Sequence, residues 1–403
     1  MIVAVDVEGR DAQAALARRR LAERYLDDGH PHPELAAALV VARGERAMSP
    51  TDLAALLSVA PDAVCDVEAG RVAAFAAAPP LRSFVASLPD RRARVRGCLL
   101  GGAIGDALGA PIEFAHGDDV RAPTRFGAIT DDTQMTLFTA EGLLRAWPGD
   151  DPLPSIRRAY ERWLATQTSS LRVADGWLSS HAFLHARRAP GTTCLGALEA
   201  GAAVAGSKGC GGVMRVAPIG LVGLSVADAF DLGCRAAAIT HGHATGWLSA
   251  GVLAALVTQV VDGVPLADAV GAAMDALRAR PSCDETVAAV DAAVELAASG
   301  GPPTRPAVES LGEGWVAEEA LAIGLYCALA GGDVRTSLVA AVEHRGDSDS
   351  TGSICGNLVG AELGVDLVPP AWLDGLEGID VITAVADDLL DGGAAHPERW
   401  PVG

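Results

Sequence analysis

Long runs of Ala, Leu and Val at helical spacing, separated by glycine-rich turns, most restrict the folds open to this chain. Thr133–Ala146, Leu195–Ala205, Gly246–Val261, Val287–Ala298 and Glu318–Ala330 each place apolar side chains three and four residues apart, the period of a helix face. The two-residue alternation of a half-buried strand is nearly absent, and aromatic residues make up 4% of the chain, so strand-favouring residues are scarce. Ala and Gly at contact positions let helices approach closely. The expectation is an all-α fold. With 50% hydrophobic and 20% charged residues, wholesale disorder is excluded, and 403 residues allow one large domain and one small one. No fixed-period repeat is evident.

The composition shifts once. Residues 1–90 are rich in Ala and Arg and helical in pattern; they end in Ala78-Pro79-Pro80, Pro89 and the run Arg91-Arg92-Ala93-Arg94-Val95-Arg96. The expected domains are 1–90 and 91–403. The formal net charge is -20, with 31 basic and 51 acidic residues, and all the excess acid lies in 97–403. Such a body is a poor nonspecific partner for phosphate backbones or anionic lipid. The N-terminus lacks a basic region followed by a long apolar one, which points away from a signal peptide and to the cytoplasm. The most apolar stretch, around Gly246–Val261, is interrupted by Ser249, Thr258 and Gln259 and reads as a core helix rather than a membrane span. The eight cysteines are scattered without zinc spacing and read as reduced, mostly buried thiols.

Residues 35–75 resemble the helix-turn-helix of the phage-repressor-like (XRE) family. Ser49 is placed as an N-cap and Pro50 as the first helical residue. Leu53-Ala54-Ala55-Leu56-Leu57 gives the second helix, Val59-Ala60-Pro61 turns into the third, and Glu68-x-Gly70-Arg71 closes it. Leu53, Leu56, Leu57, Val64 and Val67 are the expected core of this segment. A recognition helix needs donors for base edges and phosphates, yet the third helix offers Asp62, Asp66 and Glu68, with no basic residue before Arg71. This argues against DNA as its ligand. A helical appendage for docking or dimerisation is the other reading.

Two clusters of oxygen-bearing side chains precede helical stretches. Thr130-Asp131-Asp132-Thr133 comes before the helix Met135–Ala146, and Asp347-Ser348-Asp349-Ser350-Thr351-Gly352 before one around Ser353–Leu363. Taken singly, each is accounted for by helix capping and the helix dipole. The second begins like an EF-hand loop, but its twelfth position is Leu358 rather than an acid. Together they offer four carboxylates and several hydroxyls without His or Cys, a set suited to Mg²⁺ or Mn²⁺ before zinc. Four acids brought together raise one another's pKa values unless cations offset them; two divalent ions would do so, the arrangement of a two-metal hydrolase.

A third element, Gly206-Ser207-Lys208-Gly209-Cys210-Gly211-Gly212-Val213-Met214-Arg215, could wrap an anion with its backbone N–H groups. It lacks the order of a Walker A loop, and a tight interhelical turn is the plain alternative. His181 and His185 stand at helix-face spacing with no evident third ligand, so a surface pair is expected. His241-x-His243 reads as a packed or capping feature, and His344 as a neighbour of the Asp347 loop.

These motifs, in this order, resemble the ADP-ribosylglycohydrolase family. The resemblance covers about residues 94–390. It opens on Arg96-Gly97-Cys98-Leu99-Leu100-Gly101-Gly102-Ala103-Ile104-Gly105-Asp106-Ala107-Leu108-Gly109-Ala110-Pro111-Ile112-Glu113-Phe114 and continues through Thr130–Met135, Ser207–Leu221, Thr240-His241-Gly242-His243 and Gly346–Gly364. It implies an all-α fold, a binuclear Mg²⁺ centre and hydrolysis of the bond between the distal ribose of ADP-ribose and its acceptor. Thr130, Asp131, Asp132, Asp347, Asp349 and Ser350 would ligate metal. Glu113 falls where some members place an acid that gates the site or assists catalysis, beside Asp131 and Asp349 as the other catalytic carboxylates. Ser207, Gly209, Gly211, Gly212, Met214 and His241 would contact substrate. The implied partner is an ADP-ribosylated protein, arginine-linked first, or an ADP-ribose-containing small molecule. Two other readings stay open: a nucleotide-sensing regulator with a helix-turn-helix domain, and a hydrolase of another nucleotide-linked sugar.

Overall fold

The computed structural model describes residues 17–22, 24–25, 33–46, 48–69, 79–115, 120–123, 127–146, 151–168 and 176–401. Among them the regular structure is helical, as expected. In chain order the helices are α1 (Pro33–Glu45), α2 (Pro50–Leu57), α3 (Pro61–Glu68), α4 (Pro79–Ala86), α5 (Arg91–Gly109), α6 (Asp131–Ala146), α7 (Leu153–Thr168), α8 (Thr192–Ala200) and α9 (Val226–Ala237). Then follow α10 (Ala244–Val261), α11 (Leu266–Arg278), α12 (Asp284–Ala298), α13 (Arg305–Glu309), α14 (Ala317–Gly331), α15 (Val334–Val342), α16 (Ser348–Leu363), α17 (Pro370–Gly375) and α18 (Ile379–Leu390).

The antiparallel pair α5 and α16 is the spine. Gly97, Gly101, Gly105 and Gly109 recur every fourth residue on α5, so they share one face. Gly352, Gly356 and Gly360 do the same on α16. A Cβ at Gly97, Gly101, Gly105 or Gly109 would overlap the backbone of Gly360, Gly356, Gly352 or Ser348 respectively. Only glycine admits this approach. Asn357 Nδ2 adds a 2.9 Å bond to the Cys98 carbonyl across the seam. The crossing fixes the C-terminal end of α5 against the N-terminal end of α16, where the second acidic cluster lies.

The basic run at the start of α5 locks the same pair to its surroundings. Asp90 caps the helix, its carboxylate accepting from the Ala93 N–H at 2.6 Å. Buried Arg94 donates to the carbonyls of Ala361 (3.2 Å) and Glu362 (2.8 Å), placing a cation at the C-terminus of α16 where the helix dipole favours one. Arg96 grips Asp387 of α18 through two bonds of 2.8 and 2.7 Å.

Helix α10 has the length and apolarity to cross a membrane, but 83% of it is buried inside the protein, in keeping with the core helix expected from the sequence. Its side chains Leu248, Val252 and Leu256 are fully buried among the other helices. In the N-terminal region, Ser49 and Asp52 form a reciprocal capping box (3.1 and 2.8 Å) with Pro50 opening α2. Leu53, Val64 and Val67 are buried as expected, whereas Leu56 is 64% exposed: the eight-residue helix α2 turns it away from the core. The expected closing residues Gly70 and Arg71 lie outside the described residues. Leu35, Leu39 and Leu53 join the same apolar cluster as Val95 and Leu358. All eight cysteines are free.

Candidate metal centre at two helix N-termini

The two acidic clusters meet at the N-terminal ends of α6 and α16. Asp131 and Asp132 occupy the first turn of α6; Asp347 caps α16 and Asp349 sits in its first turn. All four are almost completely buried. Helix N-termini favour anions, but two dipoles do not offset this much crowded charge. Glu113, on the turn after α5, closes the group: one carboxylate oxygen each from Glu113, Asp347 and Asp349 lie within 4.8 Å of one another. Glu113 thus lies with the second cluster.

The electrostatics follow from that crowding. Burial, then the charges of Asp349, Asp131 and Asp106, push Glu113 up to about 9. Burial raises Asp131 to about 8, although it accepts a 3.1 Å bond from the Gly191 N–H; Asp349 and Asp106 add to the rise. Asp132 and Asp347 rise well above the usual carboxylate range for the same two reasons, burial first and Asp349 next. Burial and crowding thus favour the protonated forms of Glu113, Asp131, Asp132 and Asp347. A bound divalent cation reverses that, favouring the ionised acids. Five carboxylates with adjoining hydroxyls are a donor set that fits a hard divalent cation.

Hydrogen bonds hold the donors in place. Ser350 Oγ donates to Asp132 Oδ2 at 2.9 Å, joining the two loops directly. The Ser350 N–H donates to Asp349 Oδ1 at 2.9 Å. The Asp132 N–H reaches Thr130 Oγ1 at 3.3 Å. Behind Asp347, Thr351 Oγ1 lies 2.8 Å from His344 Nε2 and 2.7 Å from the Ala341 carbonyl, so His344 does neighbour this loop.

Sequence reasoning assigned no role to Asp106, and the structure gives it one. Its fully buried carboxylate accepts the Thr130 N–H (2.9 Å), the Thr133 N–H (3.1 Å) and the Thr133 hydroxyl. It caps α6 from the neighbouring helix and so sets the direction of Asp131 and Asp132. Burial, then the Asp349 charge, raises it to about 7 against those bonds. An acid inside the Gly/Ala/Leu run of α5 was the available signal. Cys210 was also missed: its thiol donates to Asp347 Oδ2 at 2.7 Å.

The glycine-rich segment lies beside the acids, but its glycines differ in purpose. A Cβ at Gly211 would come within 2.7 Å of Cys194 Sγ, and one at Gly212 within 3.0 Å of the Gly246 carbonyl. Close packing therefore accounts for both. At Gly209 a Cβ would meet only ordinary contacts: His241 Nε2 at 3.6 Å, Ser207 Oγ at 3.8 Å and the Trp315 carbonyl at 3.9 Å. The Cys210 N–H donates to that Trp315 carbonyl (3.2 Å), so one N–H expected to face an anion is engaged. Lys208 is paired with Glu285 (3.0 Å) and Glu318. Ser207 Oγ lies 3.0 Å from Thr193 Oγ1. Met214 is buried beneath Ser350, sulfur to hydroxyl 3.9 Å. At the outer edge Phe114 and Trp315 stack, centroids 5.9 Å apart, and both are exposed.

The remaining histidines separate. His181 and His185 flank and end a short 3-10 turn rather than sharing an α-helical face. His181 packs edge-on against Trp177, and His185 Nε2 lies 2.8 Å from the Ser179 carbonyl. His243 caps α10, its Nδ1 accepting from the Thr245 N–H at 3.3 Å.

Comparison with known proteins agrees with this architecture. The chain is 26% identical over 304 residues to the ADP-ribosyl-[dinitrogen reductase] glycohydrolase of Rhodospirillum rubrum, covering 72% of this chain and 92% of that one. It is 24% identical to the ADP-ribosylarginine hydrolase Tri1 of Pseudomonas putida (77% and 82% covered) and 26% identical to the ADP-ribosylhydrolase ARH3 of Mus musculus (73% and 90%). A solved structure described as an ADP-ribosylglycohydrolase-related protein complex superposes with a TM-score of 0.54 at 28% identity, over 75% of this chain and 99% of that one. The family match starts at residue 87 and lends no support to the helix-turn-helix resemblance of residues 35–75. Because the ADP-ribosylglycohydrolase model matches residues 87–398, most of the chain, this protein belongs to the ADP-ribosylglycohydrolase family.

Proposed function

We propose that this glycohydrolase releases ADP-ribose from an ADP-ribosylated acceptor, arginine-linked protein first, at a centre of two Mg²⁺ ions. The observation that carries the reading is the convergence of Glu113, Asp131, Asp132, Asp347 and Asp349 at two helix N-termini. Thr130, Asp131 and Asp132 would hold one ion; Asp347, Asp349 and Ser350 would hold the other. Bound metal would supply a template for the ribose hydroxyls and Lewis-acid activation of a water.

The protein groups divide the remaining work. The bond from the anomeric carbon to the acceptor breaks, a bond to the water oxygen forms, and the acceptor leaves with a proton. Asp131 or Asp349 faces the positive charge that develops on the sugar. Glu113 is half-buried beside Asp349 and carries the proton shuttled to the leaving group. An enzyme is favoured over a nucleotide-sensing regulator because every expected carboxylate ligand stands in the cluster, which a pure binder does not require. A panel of arginine-, serine- and phosphate-linked ADP-ribose, incubated with Mg²⁺ or EDTA, tests the assignment. Release from the arginine linkage with Mg²⁺ and none with EDTA is expected. The double variant Asp131→Ala/Asp349→Ala retaining full turnover would sink it.

A further inference from the structure

His241 is buried at the side of the glycine-rich segment, and its surroundings fix where its proton lies. Arg215 is completely buried, its guanidinium 4.3 Å above the Tyr160 ring. It donates to Thr240 Oγ1 at 2.6 Å and to the Ala236 carbonyl at 3.3 Å. Arginine cannot accept a hydrogen bond, so Thr240 Oγ1 must be the acceptor in that contact. The hydroxyl has one proton to give. Its possible acceptors are the Ala237 carbonyl at 3.4 Å, His241 Nδ1 at 2.8 Å and the Cys194 sulfur, a weak acceptor that already takes a bond from Arg215 at 3.4 Å. The Ala237 carbonyl already accepts from the N–H groups of Thr240 (3.1 Å) and His241 (3.0 Å), which fills both its lone pairs. The Thr240 proton therefore goes to His241 Nδ1, and the ring proton of a neutral His241 sits on Nε2.

We propose that Thr240, held by Arg215, is a positioning residue that fixes the Nε2-protonated tautomer of His241 and aims its N–H at an oxygen of the bound nucleotide sugar. A second observation places that nitrogen beside Gly209. Gly209 has an ordinary backbone conformation (φ -59), and no close packing demands a glycine there. The space its missing side chain leaves is bordered by His241 Nε2, Ser207 Oγ and the Trp315 carbonyl, all 3.6–3.9 Å away. This space adjoins Cys210, whose thiol touches Asp347. Burial and the Arg215 cation hold His241 down at about 3, so the ring is a neutral donor rather than an acid or base at working pH.

The ligand half of this inference rests on the proposed ADP-ribose reading, whereas the tautomer half does not. In the full chain labelled with ¹⁵N, long-range nitrogen–proton correlation should show His241 Nδ1 unprotonated and Nε2 protonated. A proton on Nδ1 overturns the proposal whatever the protein binds. Thr240→Val should mix the tautomers and weaken ADP-ribose binding, read by calorimetry, about 10-fold, or 1.4 kcal/mol. Thr240→Ser, which restores the hydroxyl, should recover both. Thr240→Val with a single Nε2 tautomer and unchanged affinity overturns it as well. Wild-type protein that shows the expected tautomer yet binds no ADP-ribose removes the functional reading and leaves the relay standing.

Discussion

Ser350 Oγ donates to Asp132 Oδ2 across 2.9 Å, and this contact ties two acidic loops that lie 218 residues apart in the chain. One hydroxyl orients a carboxylate of the other half of the site and stands in the first turn of α16 beside Asp349. Ser350→Ala removes the tie and one oxygen donor while leaving every acid in place. Loss of a group that orients metal ligands typically lowers affinity by about 10- to 100-fold. Calorimetric titration of the variant with Mn²⁺ or Mg²⁺ should show a loss in that range with unchanged helical content. Wild-type affinity would separate Ser350 from the centre.

Asp106 offers a comparable test from beneath the site. Its carboxylate collects two backbone N–H groups and the Thr133 hydroxyl. Asparagine keeps the shape but brings an N–H₂ toward donors. Leaving a buried polar group unsatisfied costs about 1–3 kcal/mol. Asp106→Asn should unfold at lower denaturant concentration by that amount, and its metal titration should weaken because the Thr130 loop loses its anchor. Unchanged stability would mean the three bonds contribute little.

The spine makes a mechanical prediction. Gly105 and Gly352 touch backbone to backbone, and a methyl at either position has no room. Overpacking a well-packed contact costs about 1–3 kcal/mol, occasionally more. Gly105→Ala should reach the upper end, since the obstacle is main chain that cannot rotate away. Gly196→Ala, where a Cβ meets nothing within 4 Å, is the matched control within α8 and should be neutral or slightly stabilising. Chemical denaturation of the pair checks both directions.

These contacts also mark what the sequence could and could not reveal. Helical periodicity sufficed for the all-α expectation, because the long Ala/Leu/Val runs have the length of helices. The two acidic clusters were visible because carboxylates at a helix start are compact local signals. Their convergence with Glu113 was expected only through the family resemblance, for nothing local says that residues 113, 131 and 349 meet. Asp106 went unassigned because its role is read from its distant partners, Thr130 and Thr133, rather than from its neighbours. The glycine-rich segment invited a phosphate-loop reading, but Gly211 and Gly212 answer to Cys194 and Gly246, which no spacing discloses. Leu56 fits the apolar period of α2 yet faces outward, since a helix of two turns buries only one narrow stripe.

The role proposed for Glu113 can be tested apart from metal binding. The residue is half-buried on a turn, next to Asp349, while the expected metal ligands lie deeper. Removing a positioned general acid typically costs about 10²- to 10⁴-fold in rate. Glu113→Gln should lose turnover in that range while retaining Mg²⁺ affinity within a few-fold, measured by initial rates beside calorimetry. A collapse of metal affinity instead would make Glu113 a ligand, a role its place within 4.8 Å of Asp347 and Asp349 also permits.

The acid cluster fixes the sign of the pH dependence. Glu113 rises from 4.5 to about 9, Asp131 from 3.8 to about 8 and Asp106 from 3.8 to about 7 in the folded protein. Between those limits the metal-free native state binds more protons than the unfolded chain, so stability falls as pH rises. The decline begins above the unfolded values and continues until each folded value is passed, a window from about pH 4 to pH 9. Thermal melts in EDTA should therefore drop steadily from pH 5 to pH 9. A divalent ion competes with those protons for the same oxygens, so its stabilisation should grow with pH and flatten the curve. Melts of the Asp131→Asn/Asp349→Asn variant should fall less steeply over the same window and respond little to Mg²⁺, because the two carboxylates that most crowd the others are gone while burial still raises Glu113 and Asp106. A wild-type melting temperature that climbs with pH in EDTA would contradict the crowding of these acids.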